Sequence, residues 1–307
     1  GDGTAKVTQN ETVNDKDDDV KVTGSNEVTG NTVDIINNTD NDLKVTLSDV
    51  TITDPKGDAA PVSVSGTGNT AIELDGSNTL KSSGWHAGLE RNEEKNSDGN
   101  VVSGKLTIQD DNDKAGSLTA TGGIQNGAGI GAGGYGVSSG KIEITGGDIT
   151  AVGGKSAAGI GGSGYRGNAD ITISGGTIRA TGGDQAAGIG GGTSGNGKVT
   201  ITGDAVIEES IGGSSGAGAG NATGGAGIGG GANGHGTIDI SGNAQVKNAL
   251  GKDGGAGIGS GGASTKGSSI VKPTDGTIDI RGGVVTAQGG DGQTNSLTGG
   301  GAGIGSG

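Results

Sequence analysis

The sequence predicts an all-β parallel β-helix, a solenoid of roughly nine coils with three short strands each. Three observations carry this. An Ala-Gly-Ile-Gly motif recurs with its isoleucines at Ile130, Ile160, Ile189, Ile228, Ile258 and Ile304. Between the motifs, apolar residues stand two apart, which is the period of a strand and not of a helix. The composition cannot fill a globular core: of 307 residues 76 are Gly, with one Trp, two Tyr and no Phe, Met or Cys.

The motif spacing defines the unit. Ile130, Ile160 and Ile189 are 30 and 29 residues apart, Ile228 and Ile258 again 30. The wider gaps read as the same unit with insertions around Glu208 to Asn221, over Ala263 to Asp275 with its Pro273, and near Asp291 to Leu297. After each motif comes a second apolar pair: Ile142/Ile144, Ile171/Ile173, Val199/Ile201, Ile238/Ile240 and Ile278/Ile280. A third follows at Ile149/Ala151 and Ile178/Ala180, less regularly at Val206, Val246 and Val285/Ala287. Gly-Gly or Gly-Asp often separates the pairs, as tight corners require. One coil buries nothing alone. Stacked about 4.8 Å apart, the coils bring their inward residues into continuous ladders.

The N-terminal third follows the plan less regularly. One coil reads as Val33/Ile35, Val45/Leu47 and Val50/Ile52, the next as Val62/Val64, Ile72/Leu74 and Leu80. Leu89, Leu106/Ile108 and Leu118/Ala120 make a third, with Arg91 to Gly104 inserted. Residues 1–31 are expected to form a cap or an irregular first coil, and residues 32–307 the β-helix, truncated inside a motif strand at Gly307. The start at Gly1, without Met, suggests a processed or excised fragment.

Charge excludes some partners. The net charge of −14 leaves no basic stripe for nucleic acid. No apolar run approaches the roughly 18 residues of a membrane-inserted span. Zero Cys fits the cytosol or a secreted chain held without disulfides.

Strand alternation points Ala128 and Ile130 inward and Gly129 and Gly131 outward, and so through Gly159/Gly161, Gly188/Gly190, Gly227/Gly229 and Gly257/Gly259. This predicts a flat strip without side chains, to be covered by a long loop such as Ala263 to Asp275 or a neighbouring molecule, or by a second copy in self-association, unless the glycines simply suit tight corners. The next face shows Lys141, Asp170 and Lys198 alternating in sign, a solvated surface of cross-strand charge pairs. Tyr135 and Tyr165 each follow a motif Ile by five residues, which puts the rings on adjacent coils with Arg166 beside them. Paired aromatic rings can stack on sugars, so Tyr135, Tyr165, Arg166 and Trp85 are the candidate ligand-binding residues. Trp85-His86 also reads as a lid on the N-terminal core. The acidic runs Asn14 to Asp19, Asn37 to Asp42 and Gln109 to Asp113 suit Ca²⁺, with Asp110, Asp111 and Asp113 the chosen ligands, or simple turn chemistry. No catalytic set of residues is recognisable. His86 and His235 lie far apart in coil order.

The run from Gly224 to Asn243, GGAGIGGGANGHGTIDISGN, and that from Gly116 to Gly134 resemble the glycine-rich repeats of large surface proteins of Gram-positive bacteria. These are described as carbohydrate-binding-domain proteins with a right-handed, pectin-lyase-like β-helix. The resemblance covers about residues 30–307 and implies an extracellular adhesin of the bacterial cell surface. Its partner would be a glycan or polysaccharide, including one on a host surface, sometimes with calcium. The alternatives are a passive stalk displaying another domain and a polysaccharide lyase or hydrolase.

Overall fold

The computed structural model describes residues 3–9, 19–24, 27–54, 56–215, 223–266, 269–271, 276–292 and 299–307. The chain is a parallel β-helix, and the described residues contain no helix. The first face is a ten-stranded parallel sheet from Thr4–Thr8 through Thr32–Ile36, Val62–Ser65 and Leu89–Glu90 to the two-residue motif strands, ending at Ile304–Gly305. Coils are numbered 1 to 10 by these strands. The other two faces form one 16-stranded sheet, joined because Thr70–Lys81 of coil 3 runs unbroken across the corner between them.

The ladders follow the sequence register. Leu89, Ile130, Ile160, Ile189, Ile228 and Ile258 are paired partners on the first face, and all are fully buried. Leu106, Ile142, Ile171, Val199 and Ile238 line the second. Each fully buried aliphatic side chain stabilises the fold by about 1.5–3 kcal/mol. On the third face of coil 7 the ladder differs from the sequence reading. A bulge opposite Ile178/Arg179 makes Ile207 the inward residue, and Val206 is only half-buried. Ser210 then takes the buried place of Ala180, and its hydroxyl donates to the Gly227 carbonyl at 2.7 Å.

The glycine strip is not an open surface. In each motif the N–H of the leading Ala donates to the carbonyl four residues on, as in Ala128 to Ala132 (2.9 Å) and Ala187 to Gly191 (2.9 Å). The strand is therefore only Ile-Gly, and the chain leaves it outward at both ends. The two flanking turns fold back over the outside and lock between coils. Gly134 N–H donates to the Trp85 carbonyl (2.8 Å), Gly164 to Asn126 (3.1 Å), Thr193 to Ser156 (2.9 Å) and Ala232 to Gln185 (2.7 Å). The motif glycines of coils 5 to 9 are buried beneath this turn layer. The cover is the motif's own turns, so the strip offers no docking face to a second copy. The glycines answer a different need. Gly190 sits at φ 136°, which only glycine adopts readily, and a Cβ there would overlap the Gly229 carbonyl of the next coil.

Several sequence features lie outside the described residues: Asn14 to Asp18 of the first acidic run, residues 216–222, Pro273 with 272 and 274–275, and 293–298. Within the second insertion, Ser264–Lys266 and Ser269–Val271 pair antiparallel. Among residues 1–31, Thr4–Thr8 and Asp19–Thr23 pair in parallel with coil 2, and Thr29 bridges to Ile52. No helix of the described residues is long and apolar enough to cross a membrane.

Candidate functional site: an aromatic ridge on the turn layer

All three aromatic side chains of the chain stand on the turn layer of coils 4 to 6. Trp85 is 41% exposed, Tyr135 63% and Tyr165 43%. Ile124, on the coil 5 turn, is 74% exposed. Their closeness follows from the locking bonds. Trp85 supplies the carbonyl that receives the N–H of Gly134, one residue before Tyr135. Asn126, two residues after Ile124, receives the N–H of Gly164, one residue before Tyr165. A core lid would bury its ring, so Trp85 belongs to the surface.

The two tyrosines stack, with ring centroids 4.5 Å apart and planes at 22°. The rings face each other instead of lying side by side, so each keeps one face and its edge for a ligand. Tyr165 and Arg166 both adopt the left-handed conformation, at φ 61° and 74°. In coils 7 and 8 the corresponding turns use Ser194 and Asn233 at φ 58° and 64°. Two consecutive large residues there store strain of about 1–3 kcal/mol each. The carbonyl oxygen of the buried Asn126 side chain abuts Gly164 and has no hydrogen-bond partner.

Beneath Trp85 lies a polar corner that sequence reading did not assemble. His86 Nδ1 donates to Glu90 Oε2 at 2.9 Å, and the same oxygen accepts from the Ala87 N–H at 3.0 Å. Asn92 bridges Glu90 Oε1 (3.1 Å) to the Gly133 N–H (2.9 Å). The hydrogen bond to Glu90 raises the His86 pKa, against its partial burial, and the Asp54 charge and Asp58 backbone add to the rise. Arg91 is fully buried. Its guanidinium donates to the carbonyls of Val64 (3.1 Å), Gly66 (2.7 Å) and Gly104 (2.6 Å) and to Glu94 (3.3 Å), clasping the neck of the Arg91 to Gly104 insertion. The only signal in the sequence was an arginine at the first position after an inward-outward strand pair.

The Asp110 to Asp113 corner does not gather its carboxylates. Lys44 Nζ lies 3.3 Å from Glu73 and 3.5 Å from Asp111, bridging the two, and Gln109 donates to Asp111 at 2.8 Å. Asp113 is exposed and Asp110 half-buried. Among the described residues no group of three or more His, Asp or Glu side chains could hold a metal ion. The second face carries the expected cross-coil charge pairs, such as Lys198 with Asp170 at 3.2 Å. Arg281 is paired with both Asp239 and Asp279.

No protein-family model, curated protein or solved structure matches the chain.

Proposed function

We propose that this β-helix is an adhesive segment of an extracellular, cell-surface protein that binds glycans along the aromatic ridge of coils 4 to 6. The observation that carries this reading is the placement of the aromatics. A chain with three aromatic residues exposes all of them within three consecutive coils, and none serves its core. Exposed clustered apolar side chains on a polar rim mark interaction sites. Flat rings with a polar tip suit sugar faces, which combine C–H surface with hydroxyls. The free faces of the Tyr135–Tyr165 stack and the neighbouring Trp85 would contact successive sugar rings. A glycan array probed with the wild-type chain and with Tyr165→Gly tests this. Glycine accepts φ 61° without strain, so the fold is kept. Wild type should bind a defined subset of glycans and the variant should bind it at least about tenfold more weakly. Equal binding by both moves the site elsewhere.

A further inference from the structure

We infer that the glycan held by the ridge carries an anionic group, a carboxylate or a sulfate, which Arg166 and Lys155 receive. This rests on the ridge being a glycan site and names the class of its ligand. Three observations converge on it.

The first is which cations are free. In a chain of net charge −14, the described basic side chains of the outer faces are mostly engaged by carboxylates. Lys44, Lys105, Lys114, Arg179, Lys198, Lys247 and Arg281 all lie in ion pairs. Among the described residues six basic side chains are in no ion pair, Lys6, Lys81, Lys141, Lys155, Arg166 and Lys252, and of these the exposed Arg166 and Lys155 stand on the coil 6 turns beside the ridge.

The second is where they stand. Thr193 ties them together: its N–H donates to the carbonyl of Ser156, next to Lys155, and its carbonyl accepts the N–H of Arg166 at 2.7 Å. Thr193 is thus bound to Arg166 itself and to Ser156, the residue after Lys155, and Arg166 directly follows Tyr165. Asp184 takes the place of Lys155 one coil above, Gly182-Gly183-Asp184 against Gly153-Gly154-Lys155, so these three side chains sum to one net positive charge. The acids of the coil 4 turn are already spent, Glu93 on Lys95 and Glu94 on Arg91. More distant carboxylates count little, because screening at physiological salt acts over about 8 Å.

The third is cost. Arg166 occupies a left-handed position that the neighbouring coils fill with Gly136, Ser194 and Asn233. Residues of that kind tolerate the conformation, and an arginine does so at an energetic penalty. A guanidinium also forms paired hydrogen bonds with planar carboxylates and with sulfate-like oxyanions.

The test is an array holding neutral, uronic-acid-containing and sulfated oligosaccharides, probed at low salt and at about 0.5 M NaCl. Four chains are compared: wild type, Arg166→Gly, Lys155→Gln and Arg281→Gly. The last removes an exposed arginine already paired with Asp239 and Asp279, and so controls for net charge. The inference expects wild type to favour acidic members, with binding that weakens as salt rises. Arg166→Gly should lower acidic binding by about tenfold or more, and Lys155→Gln by less. Arg281→Gly should behave as wild type. Preference for carboxylated over sulfated members, or the reverse, identifies the anion. Binding confined to neutral members, or acidic binding unmoved by salt and by Arg166→Gly, overturns the inference and leaves the ridge as a neutral-sugar site. Binding to no member at all defeats the glycan reading itself.

Discussion

Coils 7 and 8 go from the first face to the second in eight residues, Ile189 to Gly197 and Ile228 to Gly236. Coil 6 takes one more to reach the same register, Ile160 to Ala169, and coil 5 one more again. The ladders below are the same and the locking bonds above are the same. What the longer coils add is a tyrosine at each turn, and in coil 6 an arginine held in a strained conformation. The scaffold is therefore complete without these residues. Coils 7 and 8 act as an internal control for what coils 5 and 6 carry in addition.

The comparison holds only if the glycine-rich motif is common scaffold. Gly190→Lys should then abolish folding wherever the turn residues stand, because its Cβ strikes the Gly229 backbone. A loss of roughly 5 kcal/mol or more is expected, seen as a collapsed melting transition by circular dichroism. A folded Gly190→Lys protein would mean that the strip is surface after all.

Arg91 marks the other limit, the irregular coil 4, where one side chain does what glycine backbone does in coils 7 and 8. Arg91→Met keeps much of the volume but strands the carbonyls of Val64, Gly66 and Gly104. It should cost about 3–5 kcal/mol in thermal or denaturant unfolding. A cost below about 1 kcal/mol would show that water replaces the clasp.

The contrast between these two sites explains what the sequence made legible. Inward ladders were readable because a period of two in Ile and Val has one physical meaning, a half-buried strand. The glycine strip was misread for the same reason. Strand alternation was extended over Ala128 to Gly131, whereas the Ala128–Ala132 hydrogen bond limits the strand to Ile130–Gly131 and turns the chain outward. Positive φ at Gly131 and Gly190 leaves no trace in residue identity beyond the glycine itself. Tyr135 and Tyr165 could be placed on adjacent coils by counting from the motif isoleucine. Their face-to-face stacking could not be foreseen, since it depends on turn conformation. His86 meets Glu90 through a corner, and Arg91 meets Val64, Gly66 and Gly104 through a neighbouring coil and a 14-residue insertion, which no spacing rule describes.

Replacing Gly164-Tyr165-Arg166 by Thr-Ser, the residues of the coil 7 turn, sharpens the comparison on its stability side. Removing two strained residues should raise stability by about 1 kcal/mol or leave it unchanged. A clear fall in melting temperature would show that the tyrosine stack is structural.

The smallest expected effect is the pH response of coil 4. His86 has a folded pKa above its unfolded value, so its stabilisation is fully present below about pH 6.5 and fades as pH rises through the folded value. Asp75, lowered first by the Asn112 hydrogen bond, and Asp49, lowered first by Lys114, act oppositely and lose their contribution as pH falls below about 4. The melting-temperature difference between wild type and His86→Gln should therefore be larger at pH 6 than at pH 8.5. Trp85, the sole Trp, should report the same step by fluorescence in wild type, and the variant should be flat.

The central claim is that the turns of coils 5 and 6 bind a glycan that the turns of coils 7 and 8 do not. Its most direct test is glycan-array binding by wild type and by a chain in which both long turns are cut back to the eight-residue form. The account predicts defined binding by wild type and its loss in the shortened chain, with an unchanged circular dichroism spectrum. Undiminished binding by the shortened, folded chain would contradict it.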